Sequence, residues 1–466
     1  MSKRPNILII VSDQLRHDCV GYAEKYPVMT PNLDKLARAG IVFTHAYSAI
    51  PTCCPARQSM LCGRRVESFG AYWNYDGAGG MKSPAMPEDI YTWTQELKDQ
   101  GYHNGYVGKW HVHPDKDPTH FGFDEYINPW NARLERKKAF GEMDFTSDWR
   151  GEIDHGPKQS ATTHWQAAKT IDMIKRYTKE DQPWHIRLDF SEPHLPCTPL
   201  KEFAELYDPD QIPVWESFGD TFENKPYIQR QQLHSWKVDQ YTWEDWKHIV
   251  ARYYAFITQM DDAVGQVIDF VDANGLTEDT LILFTADHGD MCGGHKMVDK
   301  HYVLYDDVVR VPLLARWTGH IQAGSSHEGF ISASLDLAPT VLDLLQIDHQ
   351  DKGFVGKTFA PLLRADPFEN SRDCIISTFN GQQFGLYTMR MLRTKEWKYI
   401  WNTCDVDELY DLIADPNELV NLSKEPRYAD FLKAMRVKIY AHLLEEGDTL
   451  VGSSWLKEQL LENLKI

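Results

Sequence analysis

Short apolar runs alternate along this chain with stretches of helical periodicity. Ile7 to Val11 is a continuous apolar run of strand length, the pattern of a strand buried on both faces. From Pro31 to Ala39, Leu33, Leu36 and Ala37 recur at helical spacing. Gly40 stops that helix, and Ile41-Val42-Phe43 resumes a strand. The alternation continues with a helix from Thr92 to Gln100 closed by Gly101, a strand at Tyr106-Val107 and a helix from Ala161 to Thr178. A strand from Trp184 to Phe190, a long amphipathic helix from Ala251 to Ala273 and a strand from Thr280 to Thr285 follow. Strands alternating with helices predict an α/β fold with a mostly parallel sheet flanked by helices. Such sheets bind ligands beyond the carboxyl ends of their strands. The polar residues directly after each predicted strand are therefore the ones that matter.

Near residue 366 the texture changes. Asp373 to Ser377, Tyr387 to Leu392 and Trp397 to Trp401 read as short strands joined by short turns, and a closing helix runs from about Tyr428 to Leu444. This predicts a catalytic domain over 1–366 and a smaller C-terminal α+β subdomain over 367–466, an antiparallel sheet with one helix. The stretch from Trp215 to Trp246 is aromatic, polar and irregular, and reads as an insertion loop able to shape a binding site.

The length of 466 residues fits two domains or three. A net charge of −19 argues against nucleic acid as the main partner, because phosphate binding needs a basic surface. It leaves room for a small anionic substrate in a locally basic pocket. Aromatic residues reach 12%, with 15 Trp and 22 Tyr, which suits either core packing or platforms for sugar faces. No apolar run approaches the ~20 residues of a membrane span. Met1 to Asn6 leads straight into the first strand with no cleavable apolar segment, so a cytoplasmic location is expected if the chain is native and full length. Cys19, Cys53, Cys54, Cys62, Cys197, Cys292, Cys374 and Cys404 form no dense disulfide framework, and no paired spacing suggests a zinc site. Isolated buried thiols are the expectation for most of them.

Four polar clusters each follow a predicted strand: Ser12-Asp13-Gln14, Gly108-Lys109-Trp110-His111, Pro193-His194-Leu195-Pro196 and Asp287-His288-Gly289-Asp290. Singly, an Asp after a strand is more often a helix cap than a ligand. Four clusters at one kind of location are harder to dismiss. Asp13, Gln14 and Asp287 offer hard oxygen donors and His288 a nitrogen, which fits a hard divalent cation better than structural zinc.

The stretch Cys53-Cys54-Pro55-Ala56-Arg57-Gln58-Ser59-Met60-Leu61-Cys62-Gly63 carries C-x-P-x-R followed by x-x-x-L-x-G. It resembles the signature of the type I sulfatases, in which the cysteine is oxidised to formylglycine by a maturation enzyme. Pro55 and Arg57 are in register with Cys53 and not with Cys54. The resemblance extends over P-N-I-L-x-x-x-x-D-Q at the start, Thr30 to Gly40, G-K-W-H at Gly108 to His111 and P-H-x-P at Pro193 to Pro196. It continues through T-A-D-H-G-D at Thr285 to Asp290, Lys300 with Tyr305 and Arg310 to Leu313, and Glu408 to Leu412 with Asn421-Leu422. It implies an alkaline-phosphatase-like α/β fold and sulfate-ester hydrolysis at a site holding Ca²⁺, with Mg²⁺ or Mn²⁺ as alternatives. Asp13, Gln14, Asp287, His288 and residue 53 would hold the metal, Arg57 would steady the hydrated aldehyde, and Lys109 and Lys300 would clamp the sulfate. His111 would be the base of the second step, and His194, with Lys300, would protonate the leaving alcohol. Gln14 stands where many members have Asp, and His288 where many have Asn, so the set carries one fewer anionic ligand.

A phosphonate monoester or phosphodiester hydrolase of the same superfamily is the nearest alternative, and the pair Lys109 and His111 counts against it. A non-catalytic glycan-binding relative is a second, opposed by the complete ligand and base set. A sulfated sugar or glycosaminoglycan fragment is the expected substrate, from the aromatic residues around Trp73 and Tyr75 and between Trp215 and Trp246. No sequence feature addresses the oligomeric state.

Overall fold

The computed structural model describes residues 4–76, 84–141, 148–369, 372–381 and 385–465. Met1 to Lys3 of the N-terminal reading lie outside them. Eight strands form the main sheet: β1 Asn6–Asp13, β2 Ile41–Tyr47, β3 His103–Gly108, β4 Glu125–Ile127, β5 Trp184–Pro193, β6 Thr280–Ala286, β7 Leu313–Arg316 and β8 Ser325–Ser332. Their order is β4-β3-β5-β1-β6-β7-β2-β8. All pairs are parallel except those of β7, which runs against both β6 and β2. The unbroken apolar run of β1 follows from its central place, since Ile7 to Val11 are fully buried between β5 and β6.

The helix Trp243–Ala273 packs on both Pro31–Ala39 and Thr162–Tyr177. A second group joins Cys53–Cys62, Trp93–Asp99 and Leu337–Leu344. The expected α/β architecture is therefore present, and the first helix has the expected bounds.

The aromatic stretch differs from expectation. Trp215 to Trp246 is not an irregular loop but a short 3-10 turn at Glu216–Gly219, a helix at Tyr227–Trp236 and the start of the long helix. That helix begins at Trp243 rather than Ala251, opened by a capping box between Thr242 and Asp245. Trp215, Trp243 and Trp246 are buried. Trp215 stacks on Tyr26 at 5.0 Å and carries the Arg16 guanidinium 4.3 Å above its ring. These indoles fill the core beneath the helix, and their polar neighbours hid its amphipathic face. They are not sugar platforms.

The smaller sheet holds β9 Ile375–Asn380, β10 Thr388–Arg393, β11 Trp397–Asn402 and β12 Glu408–Asp411, antiparallel throughout, in the order β12-β11-β10-β9. Side chains alternate across it. Ile375, Phe379, Met389 and Met391 join the main core, whereas Ile376, Leu392 and Trp401 pack with Leu432, Met435 and Ile439 of the helix Ala429–Glu445. Among the described residues no helix is long and apolar enough to cross a membrane.

Candidate active site

Four neighbouring strands, β3, β5, β1 and β6, deliver polar residues to one end of the main sheet. β1 ends in Asp13, followed by Gln14 at φ +68°. β3 ends at Gly108, where φ is +112° and a Cβ would stand 2.0 Å from the carbonyl oxygen of Asp189. Only glycine fits there. This close approach lets the Lys109 backbone N–H donate to the Asp189 carbonyl at 2.8 Å, turning Lys109 over the strand ends. His194 follows β5, and Asp287 and His288 follow β6. Cys53 opens the Cys53–Cys62 helix, every residue of which is buried.

Asp13, Cys53, Asp287 and His288 each present one ligand atom within 4.8 Å of the others. Cys53 Sγ lies 3.1 Å from His288 Nε2 and 3.6 Å from Asp13 Oδ1. His288 Nδ1 is 2.9 Å from the Gly289 carbonyl, which can only accept. Nδ1 therefore carries a proton, and Nε2 is the atom turned into the cluster and the one a metal would take. Burial opposes charge on the ring, but Asp287 and Cys53 outweigh it and raise its pKa from 6.5 to about 9. Burial and the neighbouring Asp13 push the Asp287 carboxyl up to about 6. Two buried carboxylates with an imidazole nitrogen beside them are a donor set that a hard divalent cation fits. The Gln14 backbone N–H donates to Asp287 Oδ1 at 3.1 Å. Its side-chain oxygen accepts from Lys300, and its amide nitrogen donates to Asp290 and Asp299.

Arg57 lies one helical turn after Cys53, fully buried. Its Nε donates to Asp287 Oδ2 at 2.9 Å, Nη2 to Asp13 Oδ2 at 3.0 Å and Nη1 to Asp189 Oδ2 at 2.6 Å. Expected to steady the hydrated aldehyde of residue 53, it is engaged by three carboxylates and locks the helix onto β1, β5 and β6. Asp189, the third of these, was not singled out from sequence. Its signal was a charged pair two residues apart inside a buried strand, Arg187-Leu188-Asp189.

Cations crowd the mouth. Lys109 Nζ lies 2.7 Å from Asp13 Oδ2 and is the more exposed partner. Lys300 Nζ donates to Gln14 Oε1 at 2.7 Å, to His194 Nε2 at 2.9 Å and to Asp299 Oδ1 at 3.1 Å, filling its three donor positions. Burial opposes a thiolate at Cys53, but Lys109, Lys300 and His288 outweigh it and hold the thiol pKa well below its ordinary value. An anionic sulfo group would meet the same field.

His111, at φ +45°, sits edge-on to Tyr75 with ring centroids 5.1 Å apart. Its Nε2 is 3.1 Å from Asp76 Oδ1, and its Nδ1 has no partner among the described residues. Burial lowers its pKa, but Asp76 and Cys53 reverse this and raise it. A cavity of about 240 Å³ opens beside Lys109 and His194, lined also by Ser191, Glu192, Leu195, Pro196 and Phe256. The larger cavity of about 510 Å³ lies far off, around Asp405, Arg436 and Lys465, where both cations are already paired with Asp407. The structure thus brings all ten expected site residues to one end of the sheet. Asp76, Asp189, Glu192 and Asp299 join them.

The model of the family described as Sulfatase matches residues 5–347, and that described as N-sulphoglucosamine sulphohydrolase, C-terminal, matches residues 293–444. The chain is 28% identical to the uncharacterized sulfatase YidJ of Escherichia coli, covering 96% of this chain and 88% of that protein. It is 28% identical to the ulvan-active sulfatase of Formosa agariphila, covering 96% and 82%. In structure it resembles the phosphonate monoester hydrolase of Agrobacterium radiobacter, with a TM-score of 0.78 at 24% identity over 95% of this chain and 96% of that one.

Proposed function

Because the chain belongs to the sulfatase family, hydrolases of sulfuric esters with an alkaline-phosphatase-like fold, we propose that it cleaves a sulfate monoester of a sulfated saccharide through formylglycine at position 53. The observation that carries this reading is the placement of Cys53, 3.1 Å from His288 Nε2 and 3.6 Å from Asp13 Oδ1, under Lys109 and Lys300. The thiol seen there stands in for the oxygens of a hydrated aldehyde. Formylglycine supplies two hydroxyls on one carbon, one to attack sulfur and one to expel sulfate afterwards, which a plain Cys or Ser cannot do. A Ca²⁺ or similar hard cation, held by Asp13, Gln14, Asp287, His288 and residue 53, supplies positive charge that eases deprotonation there.

The chain's own residues divide the remaining work. Arg57 fixes Asp13 and Asp287 in place. Lys109 and Lys300 face the sulfo oxygens and offset charge as it builds on them. His194 hands a proton to the departing alcohol, resupplied by Lys300. His111, with Asp76 behind it, takes the proton whose loss frees the sulfate. The ulvan-active relative supports a polysaccharide-derived substrate, as do Ser191 and Glu192 beside the mouth.

The phosphonate monoester hydrolase resemblance keeps a second reading in view. Modified protein should release sulfate from defined sulfated saccharides, and kcat/KM for matched sulfate, phosphonate and phosphodiester substrates decides between the two. A phosphonate monoester or phosphodiester favoured by an order of magnitude would replace the sulfatase reading.

A further inference from the structure

Away from the active site, the fold assembles a second group of metal-capable side chains that spacing along the chain does not reveal. Asp373 and Cys374 lead into β9, and His442 lies near the end of the helix Ala429–Glu445 that covers the smaller sheet. Cys374 Sγ stands 3.2 Å from His442 Nε2. One ligand atom from each of the three residues falls within 4.8 Å of the other two. Cys374 is buried, His442 half-buried and Asp373 exposed. Asp373 Oδ2 accepts from Lys438 Nζ at 2.6 Å, which leaves its other oxygen for a second partner. A carboxylate shared between a ligand position and a supporting lysine is also how Asp13 stands with Lys109 in the catalytic cluster.

The plain alternative is a thiol–imidazole hydrogen bond beside a surface ion pair. Three observations point further. Sulfur, nitrogen and oxygen donors converge from two separate elements. A tetrahedral ion at about 2.3 Å from sulfur and about 2.0 Å from nitrogen would hold those atoms about 3.5 Å apart, a few tenths of an ångström beyond the 3.2 Å observed. A cavity of about 230 Å³ borders all three residues, together with Glu445 and Glu446, and has room for a water as fourth ligand.

We propose that Asp373, Cys374 and His442 bind a zinc-type divalent cation that clips the smaller sheet to its covering helix. A thiolate and an imidazole select zinc or cobalt over calcium, so the site is chemically separate from the oxygen-rich catalytic cluster. The ion would stabilise the junction by mass action rather than take part in hydrolysis.

Co²⁺ is the probe, added to the full chain carrying Cys53→Ser so that no thiol remains in the catalytic cluster. One equivalent of Co²⁺ should give a thiolate-to-cobalt absorption band that Zn²⁺ abolishes and excess Ca²⁺ leaves in place. Cys374→Ser should remove the band. His442→Gln should weaken Co²⁺ binding by at least about tenfold. Zn²⁺ should raise Tm of the Cys53→Ser parent more than that of the same chain carrying Cys374→Ser or His442→Gln as well. Circular dichroism checks that each variant is folded, and His442→Gln answers alone if Cys374→Ser is not. A parent without the band, or a band that survives both substitutions, overturns the proposal.

Discussion

Lys300 Nζ stands 2.9 Å from His194 Nε2, while His194 Nδ1 stands 2.6 Å from the carbonyl of Leu195. The carbonyl can only accept, so the imidazole carries its proton on Nδ1 and takes its second hydrogen bond from the ammonium. In the proposed mechanism, the proton passed to a leaving group at Nε2 is therefore one that comes through Lys300. His194→Gln should lower kcat about 10²- to 10⁴-fold for sugar sulfates, whose alkoxides need protonation. An activated aryl sulfate should lose much less. The check is a plot of log kcat/KM against leaving-group pKa, which should steepen in the variant. An equal loss for every ester would point to a structural role instead.

Arg57 joins three carboxylates with no water-exposed atom among them. Removing the guanidinium leaves Asp13, Asp189 and Asp287 buried without their common partner. Arg57→Met should cost about 3–5 kcal/mol of unfolding free energy. Denaturant titration with the metal chelated isolates this from any change in metal affinity.

Stripping the metal should stop turnover and lower Tm, since Asp13 and Asp287 then face each other across the cluster. At a free concentration about 100 times Kd, the bound ion contributes about 2.7 kcal/mol. Dialysis against a chelator, followed by adding back Ca²⁺, Mg²⁺ or Mn²⁺ singly, reads both effects. Asp287→Ala should abolish the response to all three.

Glu192 gives a pH signature. Burial, the dominant cause, pushes its carboxyl from 4.5 up to about 7, and one of its oxygens has no partner among the described residues. The folded chain thus holds a proton that the unfolded chain releases. The stability linked to this group is complete below about pH 4.5 and is lost as pH rises through 7. Glu192→Gln removes that dependence. Between pH 4.5 and 8 the variant should gain on the order of 3 kcal/mol relative to wild type, read by denaturant unfolding at each end.

Five strands of the main sheet, β1, β2, β3, β5 and β6, were legible, most clearly where double-sided burial writes an unbroken apolar run, as in Ile7 to Val11; β4, β7 and β8 were not read as strands. Residues placed at strand ends, such as Asp13 and Asp287, were legible for the same reason, since the run marks where the end is. Asp189 was not, because Arg187 two residues before it reads as a sufficient local partner. Its other cationic partner, Arg57, is 132 positions away. The helix start at Trp243 was missed because tryptophan fits both a core and a surface platform. His442 beside Cys374 is legible only in three dimensions, as 68 positions separate them.

The burial of the entire Cys53–Cys62 helix makes time part of this protein's chemistry. On the proposed function, a maturation enzyme would have to grip the chain around Cys53, and in the folded chain that stretch lies sealed under the strand ends, with Cys53 1% exposed. Oxidation would then have a deadline, the moment the helix docks. A chain that folded first would keep its thiol for life, and a preparation would be a fixed mixture of two kinds of molecule that do not interconvert. Specific activity would be set during synthesis, as the fraction of chains that met the oxidising enzyme while still open. Peptide mass spectrometry at position 53 should track activity linearly across preparations, and treating folded, unmodified protein with the maturation enzyme should change neither.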